Sequence, residues 1–185
     1  MRKALTIHPR SLCPAVTSIE VEVARPRPGL LALNYVVTGI PRDLHLPVAA
    51  APRRADELWR RTCFEAFVMA SPGGGYIEVN LSPSRAWAAY EFGDYRAGMR
   101  VAGEIAAPVI ERRAADDRFE LNVSLDLSPL AVLPSAAVWR LGLAAVIETA
   151  SGARSYWALA HPPGAPDFHA AQSFAYDLAV AAEGS

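Results

Sequence analysis

Two carboxylates lie in neighbouring stretches of the chain among aromatic and amide side chains. The stretch 64–69, Phe-Glu-Ala-Phe-Val-Met, is separated by a Pro/Gly-rich turn at 71–75 from the stretch 76–81, Tyr-Ile-Glu-Val-Asn-Leu. Both stretches suit strands, and the turn between them predicts a β-hairpin that carries Glu65 on one strand and Glu78 on the other.

Alternation along a strand determines which side chains accompany each carboxylate. Glu65 shares a face with Phe67, and Glu78 shares a face with Tyr76 and Asn80. Flat rings pack against the apolar faces of a pyranose, and fixed polar groups bind its hydroxyls. The hairpin therefore has the composition of a sugar site, with Trp59, Trp87 or Tyr90 expected beside the carboxylates around a concave polar pocket.

Two other interpretations of these carboxylates stay open. On an ordinary sheet surface they would be solvated or paired with Arg60, Arg61 or Arg96. Alternatively, they could form a catalytic pair, because glycosidases place two carboxyl groups about 5–9.5 Å apart. Nothing in the sequence predicts the raised pKa that an acid catalyst requires, so we expect no catalysis here.

A second polar segment follows the predicted strand 155–159. The Pro-rich loop after this strand carries His161, Asp167 and His169, which are metal ligands by type. Their spacing matches no familiar metal motif. The alternative is that Asp167 stabilises a turn while the histidines pack against neighbouring aromatic rings, and we therefore expect no metal and no other cofactor.

Composition and motifs exclude several classes of protein. The net charge is −1, with 18 basic and 19 acidic residues, which argues against a nucleic-acid-binding surface. The sequence contains no Gly-x-Ser-x-Gly elbow, phosphate-binding loop or His-Glu-x-x-His motif. It also shows no export signal or apolar membrane span, so we expect a soluble, cytoplasmic protein whose Cys13 and Cys63 are buried thiols.

Period-two hydrophobicity recurs along the chain and predicts strands. The predicted strands cover 19–23, 31–37, 64–69, 76–81, 119–125, 139–147, 155–159 and 174–180. Short helical turns are expected within 84–90 and 127–132, and a surface loop over 46–56. Short strands punctuated by 12 Gly and 15 Pro predict an all-β fold, a two-sheet antiparallel sandwich or a barrel.

The ordered motifs between Trp59 and Phe174 resemble those of the bacterial DOMON-like proteins, relatives of family-9 carbohydrate-binding modules and of haem-carrying DOMON domains. The motifs run, in order, Trp59, Thr62, Phe64-Glu65-x-Phe67, Tyr76-x-Glu78-x-Asn80-x-Ser82-Pro83, Trp87-x-x-Tyr90-x-Phe92, Phe119-Glu120-Leu121-x-Val123-Ser124-Leu125, Trp139-Arg140-Leu141, Ser155-Tyr156-Trp157-Ala158-Leu159 and Phe168-His169. The resemblance implies one immunoglobulin-like β-sandwich domain over residues 1–185.

In the sugar-binding branch, the resemblance implies that rings clamp a terminal sugar while acidic and amide groups bind its hydroxyls. The residues that match this pattern are Trp59, Glu65, Glu78, Asn80, Trp87, Tyr90 and Trp157. Together with His161 and His169 from the Pro-rich loop, they make up the expected ligand-binding set. In the haem branch, Met and His ligate the iron. The candidates for that role are Met69, Met99, His161 and His169, and no spacing pairs them.

The sequence therefore predicts a non-catalytic module that binds a saccharide or a sugar-like small molecule, without nucleic-acid or membrane partners. Haem binding and a small carboxylate-dependent enzyme are the alternatives. The oligomeric state is left open.

Overall fold

The computed structural model describes residues 1–180 and is built almost entirely from strands. Thirteen strands occur in this part of the chain: β1 Arg2–Ile7, β2 Val16–Ala24, β3 Leu30–Gly39, β4 Arg53–Arg54, β5 Cys63–Ser71, β6 Tyr76–Leu81, β7 Ala86–Phe92, β8 Arg100–Val101, β9 Val109–Ala114, β10 Arg118–Asp126, β11 Val138–Glu148, β12 Arg154–Ala158 and β13 Tyr176–Leu178. Three single-turn 3-10 helices, Pro41–Asp43, Leu58–Arg60 and Ala171–Ser173, complete the regular structure of residues 1–180. The predicted all-β class is confirmed.

The strands form one continuous, curled sheet because β1 belongs to both of its halves. The strand order is β4-β7-β6-β5-β11-β12-β1-β2-β3-β10-β9, with β8 added to β7 and β13 added to β11. Residues Arg2 to Leu5 pair with β2, and Thr6 and Ile7 pair with β12. We call β2, β3, β10 and β9 the β2 half, and the strands on the β12 side of β1 the β5 half.

The two halves pack their inner faces against each other. The ring of Tyr35 on β3 lies 5.0 Å from that of Phe64 on β5, and its hydroxyl donates a 2.8 Å hydrogen bond to the Glu65 carbonyl. Phe119 on β10 stacks on Phe64 from the same half as Tyr35. This core uses one alternate set of side chains from each strand, as the period-two pattern predicts.

The structure agrees in part with the predicted sandwich of two separate antiparallel sheets. The shared β1 joins the halves, and β4 pairs with β7 in parallel. The short helix expected within 84–90 is wrong, because β7 covers most of that segment. Ala86, Ala88 and Ala89 are all buried, so hydrophobicity does not alternate along β7. Residues 127–132 form turns, which corrects the second expected helix.

The outer face of the β5 half is also buried, which an ordinary sandwich face is not. All six residues of β6 are buried. A second aromatic cluster on this face includes Phe67, Tyr76, Phe92 and Phe168. The segment 160–174 covers these rings, and that cover turns the sheet surface into a sheltered site.

Cys13 and Cys63 are free and buried. Across residues 1–180, no helix has the length and hydrophobicity required to cross a membrane.

Candidate functional site

A cavity of about 840 Å³ opens on the outer face of the β5 half. Strands β5, β6, β7, β11 and β12 form its floor, and the segments 56–59, 96–101 and 166–169 form its walls. The residues that line it are Asp56, Glu57, Trp59, Glu65, Glu78, Tyr90, Phe92, Arg96, Met99, Val101, Val146, Tyr156, Pro166, Phe168 and His169.

Glu65 lies at the floor of the cavity with 3% of its surface exposed. Its Oε1 has no hydrogen-bond partner among the described residues. Burial, followed by the nearby charge of Glu78, holds the pKa of the Glu65 carboxyl well above its usual range. An unpartnered buried oxygen is costly to maintain, so its presence on a cavity floor favours a ligand group as its partner.

Glu78 projects from the neighbouring strand on the same face. Glu65 pairs across the hairpin with Asn80, two residues from Glu78, so the carboxyl groups are diagonal neighbours. Asn80 donates a 2.6 Å hydrogen bond from Nδ2 to Glu78 Oε1. Burial raises the pKa of Glu78, while Asn80 and Arg96 oppose the rise. No sequence pattern predicts these raised pKa values, because the alternation of the strands does not encode the covering loops that desolvate the two carboxyl groups.

His169 connects Glu78 to a buried tyrosine. Its Nδ1 lies 2.7 Å from the Tyr76 hydroxyl and its Nε2 lies 3.6 Å from Glu78 Oε2. The Arg96 backbone N–H donates to the Tyr76 oxygen, which leaves the tyrosine proton free to point at Nδ1. Burial, followed by the charge of Arg96, lowers the His169 pKa to about 4, so the ring is neutral at pH 7 and directs Nε2–H at Glu78.

Asp167 fastens the two loops that wall the cavity. Its carboxylate accepts hydrogen bonds from the Tyr95 hydroxyl at 2.6 Å, from Arg96 Nη2 at 2.9 Å and from the His169 backbone N–H at 3.1 Å. Burial acts to raise the Asp167 pKa, but the bonds from Tyr95 and Arg96 lower it overall. We call this arrangement the Asp167 clamp.

Aromatic rings form the rim. Trp59 is 46% exposed at the mouth, and Tyr90 and Tyr156 stand on the adjoining sheet surface. The Tyr90 hydroxyl donates a 2.6 Å hydrogen bond to Asp56, and burial together with this bond raises the Tyr90 pKa. The rim therefore offers flat apolar surface above a floor of acceptor groups.

The structure brings together five of the nine residues predicted for the site. Trp59, Glu65, Glu78, Tyr90 and His169 all line the cavity. Asn80 lies beneath it and reaches it through Glu78.

Trp87, Trp157 and His161 lie elsewhere. Trp87 is three residues from Tyr90, and Trp157 is one residue from Tyr156, so each faces the inner core instead. His161 packs its ring edge-on to His8 at 4.9 Å and hydrogen-bonds the Thr6 carbonyl through Nε2. The placement of these three therefore corrects the predicted set.

Sequence reasoning missed several lining residues. It assigned no ligand contact to Asp56, Arg96, Tyr156 or Phe168, although all four line the cavity. The alternation rule could have identified Tyr156, which lies on the strand face opposite Trp157. The other three come from loops or strand ends whose position no periodicity encodes.

The side chains that line this cavity do not favour a metal ion or haem as the ligand. Within residues 1–180, no three His, Cys, Asp or Glu side chains are grouped to bind a metal ion. Met99 and His169 both line the cavity, but His169 is engaged by Tyr76 and Glu78. The two buried carboxyl groups also suit a polar ligand better than an apolar macrocycle.

A second, shallower concavity of about 610 Å³ lies on the outer face of the β2 half. Glu22, Asn34, Asn122 and Glu111 form a row across its four strands. No aromatic residue of the described chain lines it. It therefore lacks the ring surface that the 840 Å³ cavity provides.

Comparison with known proteins adds evidence on the fold. No protein-family model and no curated protein matches the chain. A family-9 carbohydrate-binding module from Caldicellulosiruptor kristjanssonii, solved with cellotriose, is similar with a TM-score of 0.55 and 10% identity over 89% of this chain and 74% of that one. A provisionally named carbohydrate-binding protein from Bacteroides uniformis has a TM-score of 0.61 and 13% identity over 92% and 82%. At these identities the likeness shows a shared fold.

Proposed function

We propose that this protein binds a saccharide in the 840 Å³ cavity and does not transform it. The observation that carries the proposal is the pairing of buried, incompletely satisfied acceptors at the floor with exposed aromatic surface at the rim. Hydroxyls of a sugar can donate to Glu65 and Glu78 while its apolar face packs on Trp59. The cavity volume is within the range of about 300–1,000 Å³ usual for small-ligand sites.

The structural neighbours support the same function. One of them is named a family-9 carbohydrate-binding module and was solved with cellotriose. That likeness, with the motifs between Trp59 and Phe174, also supports assigning the curled sheet to the DOMON-like sandwiches. The bacterial origin, the single-domain organisation and the cytoplasmic location stay predictions.

The electrostatics of the cavity favour binding over hydrolysis. A glycosidase pair requires one carboxyl group to stay ionised while the other carries a proton. Burial raises the pKa of both Glu65 and Glu78. The surroundings therefore move both pKa values in the same direction and do not divide the pair into an acid and a base.

Isothermal titration calorimetry with cellotriose tests this function. We expect saturable one-site binding to the wild-type protein. Trp59→Ala removes the exposed ring and weakens binding about tenfold, whereas Trp59→Phe keeps a flat ring and most of the affinity. Leu12→Ala, at an 86% exposed position outside the cavity lining, is the matched control for loss of an exposed apolar side chain. If none of cellotriose, glucosamine trimer and N-acetylglucosamine trimer binds at millimolar concentration, the proposal is overturned.

A further inference from the structure

The charges that line the cavity are unequal. Four acidic residues, Asp56, Glu57, Glu65 and Glu78, and one arginine, Arg96, line it within the described chain. Arg96 is already paired with Asp167 at 2.9 Å. Glu57 is paired with Arg60 at 2.7 Å. Asp56, Glu65 and Glu78 therefore remain as acceptors that form no ion pair with an Arg or Lys of the described residues.

The deepest of these acids lacks a counter-ion. Glu65 forms no ion pair among the described residues, and its Oε1 accepts no hydrogen bond there. Among the described residues, the one basic side chain within 4.0 Å of the Glu78 carboxyl is the neutral His169, at 3.6 Å. A group with several N–H donors and a positive charge, placed between the diagonal carboxyl groups, would satisfy both.

The rim suits the same kind of group. Trp59, Tyr90 and Tyr156 line the cavity around the two carboxyls, and aromatic faces attract an ammonium group through their negative quadrupole. A metal ion fits less well, because Ca²⁺ takes six to eight oxygen ligands and Mg²⁺ demands an octahedral set. In residues 1–180, no group of three or more acidic, His or Cys side chains is arranged to hold one.

From this geometry we infer that the cavity selects a saccharide that carries a protonated amine, with the ammonium group held between Glu65 and Glu78. This inference rests on the proposed saccharide binding and specifies its ligand class. The unpartnered Glu65 oxygen accepts from the ammonium, and Glu78, fixed by Asn80, accepts from its other side. A neutral sugar lacks the charge and offers one donor at each hydroxyl, where an ammonium group offers three at one atom, so it leaves part of this floor unsatisfied.

The test compares three trimers of similar size by calorimetry at pH 6, below the usual pKa of an amine. The probes are glucosamine trimer, N-acetylglucosamine trimer and cellotriose. We expect glucosamine trimer to bind about tenfold more tightly than either neutral trimer, because a charge-assisted hydrogen bond is stronger than a neutral one.

Glu65→Gln keeps the size of the side chain and removes its ability to ionise. We expect this variant to lose most of the roughly tenfold preference for glucosamine trimer over cellotriose, because the ammonium group then faces a neutral amide. Glu78→Gln keeps an oxygen for Asn80 and serves as the second variant, with the same loss expected. Glu20→Gln on β2, outside the cavity lining, removes the same charge and should preserve the preference.

The outcomes separate the two proposals. Equal binding of all three trimers, or a preference for a neutral trimer, would overturn the amine inference and leave saccharide binding intact. A preference that survives in both Glu65→Gln and Glu78→Gln would also overturn it. Binding of none of the trimers to wild type would overturn the proposed function and the inference with it.

Discussion

Glu65 shows how a single side chain can be costly to the fold and useful to the site. It is 3% exposed on a sheet face that would be solvent-exposed without the covering loops. Sequence alternation correctly put it on the face of Phe67, but nothing in the strand pattern revealed its burial or its missing partner. Those properties depend on the segments that cover this face of the sheet, whose positions the strand pattern does not encode.

We predict that Glu65→Gln stabilises the free protein by an amount that grows with pH. Burial, and then the charge of Glu78, raises the pKa of Glu65 in the folded wild type. The contribution of this carboxyl group to wild-type stability is therefore fully present below about pH 4.5 and is lost as pH rises through the folded-state pKa. The glutamine variant does not suffer this loss. The substitution removes the free-energy cost of burying an ionised carboxylate without a partner, which is about 1–3 kcal/mol. Each kcal/mol shifts Tm by about 2–4 °C for a chain of this size.

Thermal unfolding at pH 4, 6 and 8 checks this prediction, with Glu20→Gln as the control. The other titratable or charged groups that line the cavity or face Glu65 are the same in both proteins. They are Tyr35, Asp56, Glu57, Cys63, Tyr76, Glu78, Tyr90, Arg96, Tyr156, Asp167 and His169. A Tm difference that stays constant, or shrinks, from pH 4 to pH 8 would contradict the account.

At the scale of elements, the site is formed by the β5–β6 hairpin together with the covering loops. The alternation of β5 and β6 predicted the hairpin and the faces of its carboxylates. The rule fails as a guide to burial on β7, because Ala86, Ala88 and Ala89 are buried on both faces. Applied strictly, the same rule separates Trp87 from Tyr90, since an odd spacing along a strand reverses the face.

The covering loops were the least predictable elements. The segments 93–99 and 160–169 contribute Arg96, Phe168 and His169 to the cavity, and polar contacts at Asp167 hold the two segments together. Such contacts join residues about seventy positions apart and follow no period. A sequence pattern can indicate that a loop exists there, but it does not encode what the loop covers.

We predict that Asp167→Ala releases these loops without unfolding the sheet. Loss of the charge-assisted bonds from Tyr95 and Arg96 should raise amide exchange at Gly93 and Ala97 by about tenfold or more. Hydrogen exchange measured by NMR reports this directly. Asp177→Ala, which removes a 71% exposed partner of Arg140, is the matched control. Unchanged exchange at Gly93 and Ala97 would show that the clamp does not hold the loops.

At the scale of the whole molecule, the curled sheet gives the protein two outer faces of different character. The period-two runs predicted an all-β fold and most of its strands, but not β1, whose segment passes from one half to the other. A strand that changes partners midway has no distinctive hydrophobic pattern, since each of its residues still alternates. The joined halves therefore appear only in three dimensions.

The two outer faces also make the central claim testable by location. The 840 Å³ cavity of the β5 half has buried carboxyls and aromatic rings, whereas the concavity of the β2 half has a polar row and no ring among the described residues. A saccharide that is recognised by ring stacking and by buried acceptors should bind in the 840 Å³ cavity and not in the concavity of the β2 half.

The most direct measurement is a ¹⁵N-¹H NMR titration with the tightest-binding trimer, followed over days by mass spectrometry of the ligand. The account predicts saturable shifts at amides around Trp59, Glu65, Glu78 and His169, little change near Asn34 and Asn122, and a trimer that stays intact. Shifts confined to the Asn34 face, no shifts at millimolar ligand, or cleavage of the trimer that depends on Glu65 would contradict it.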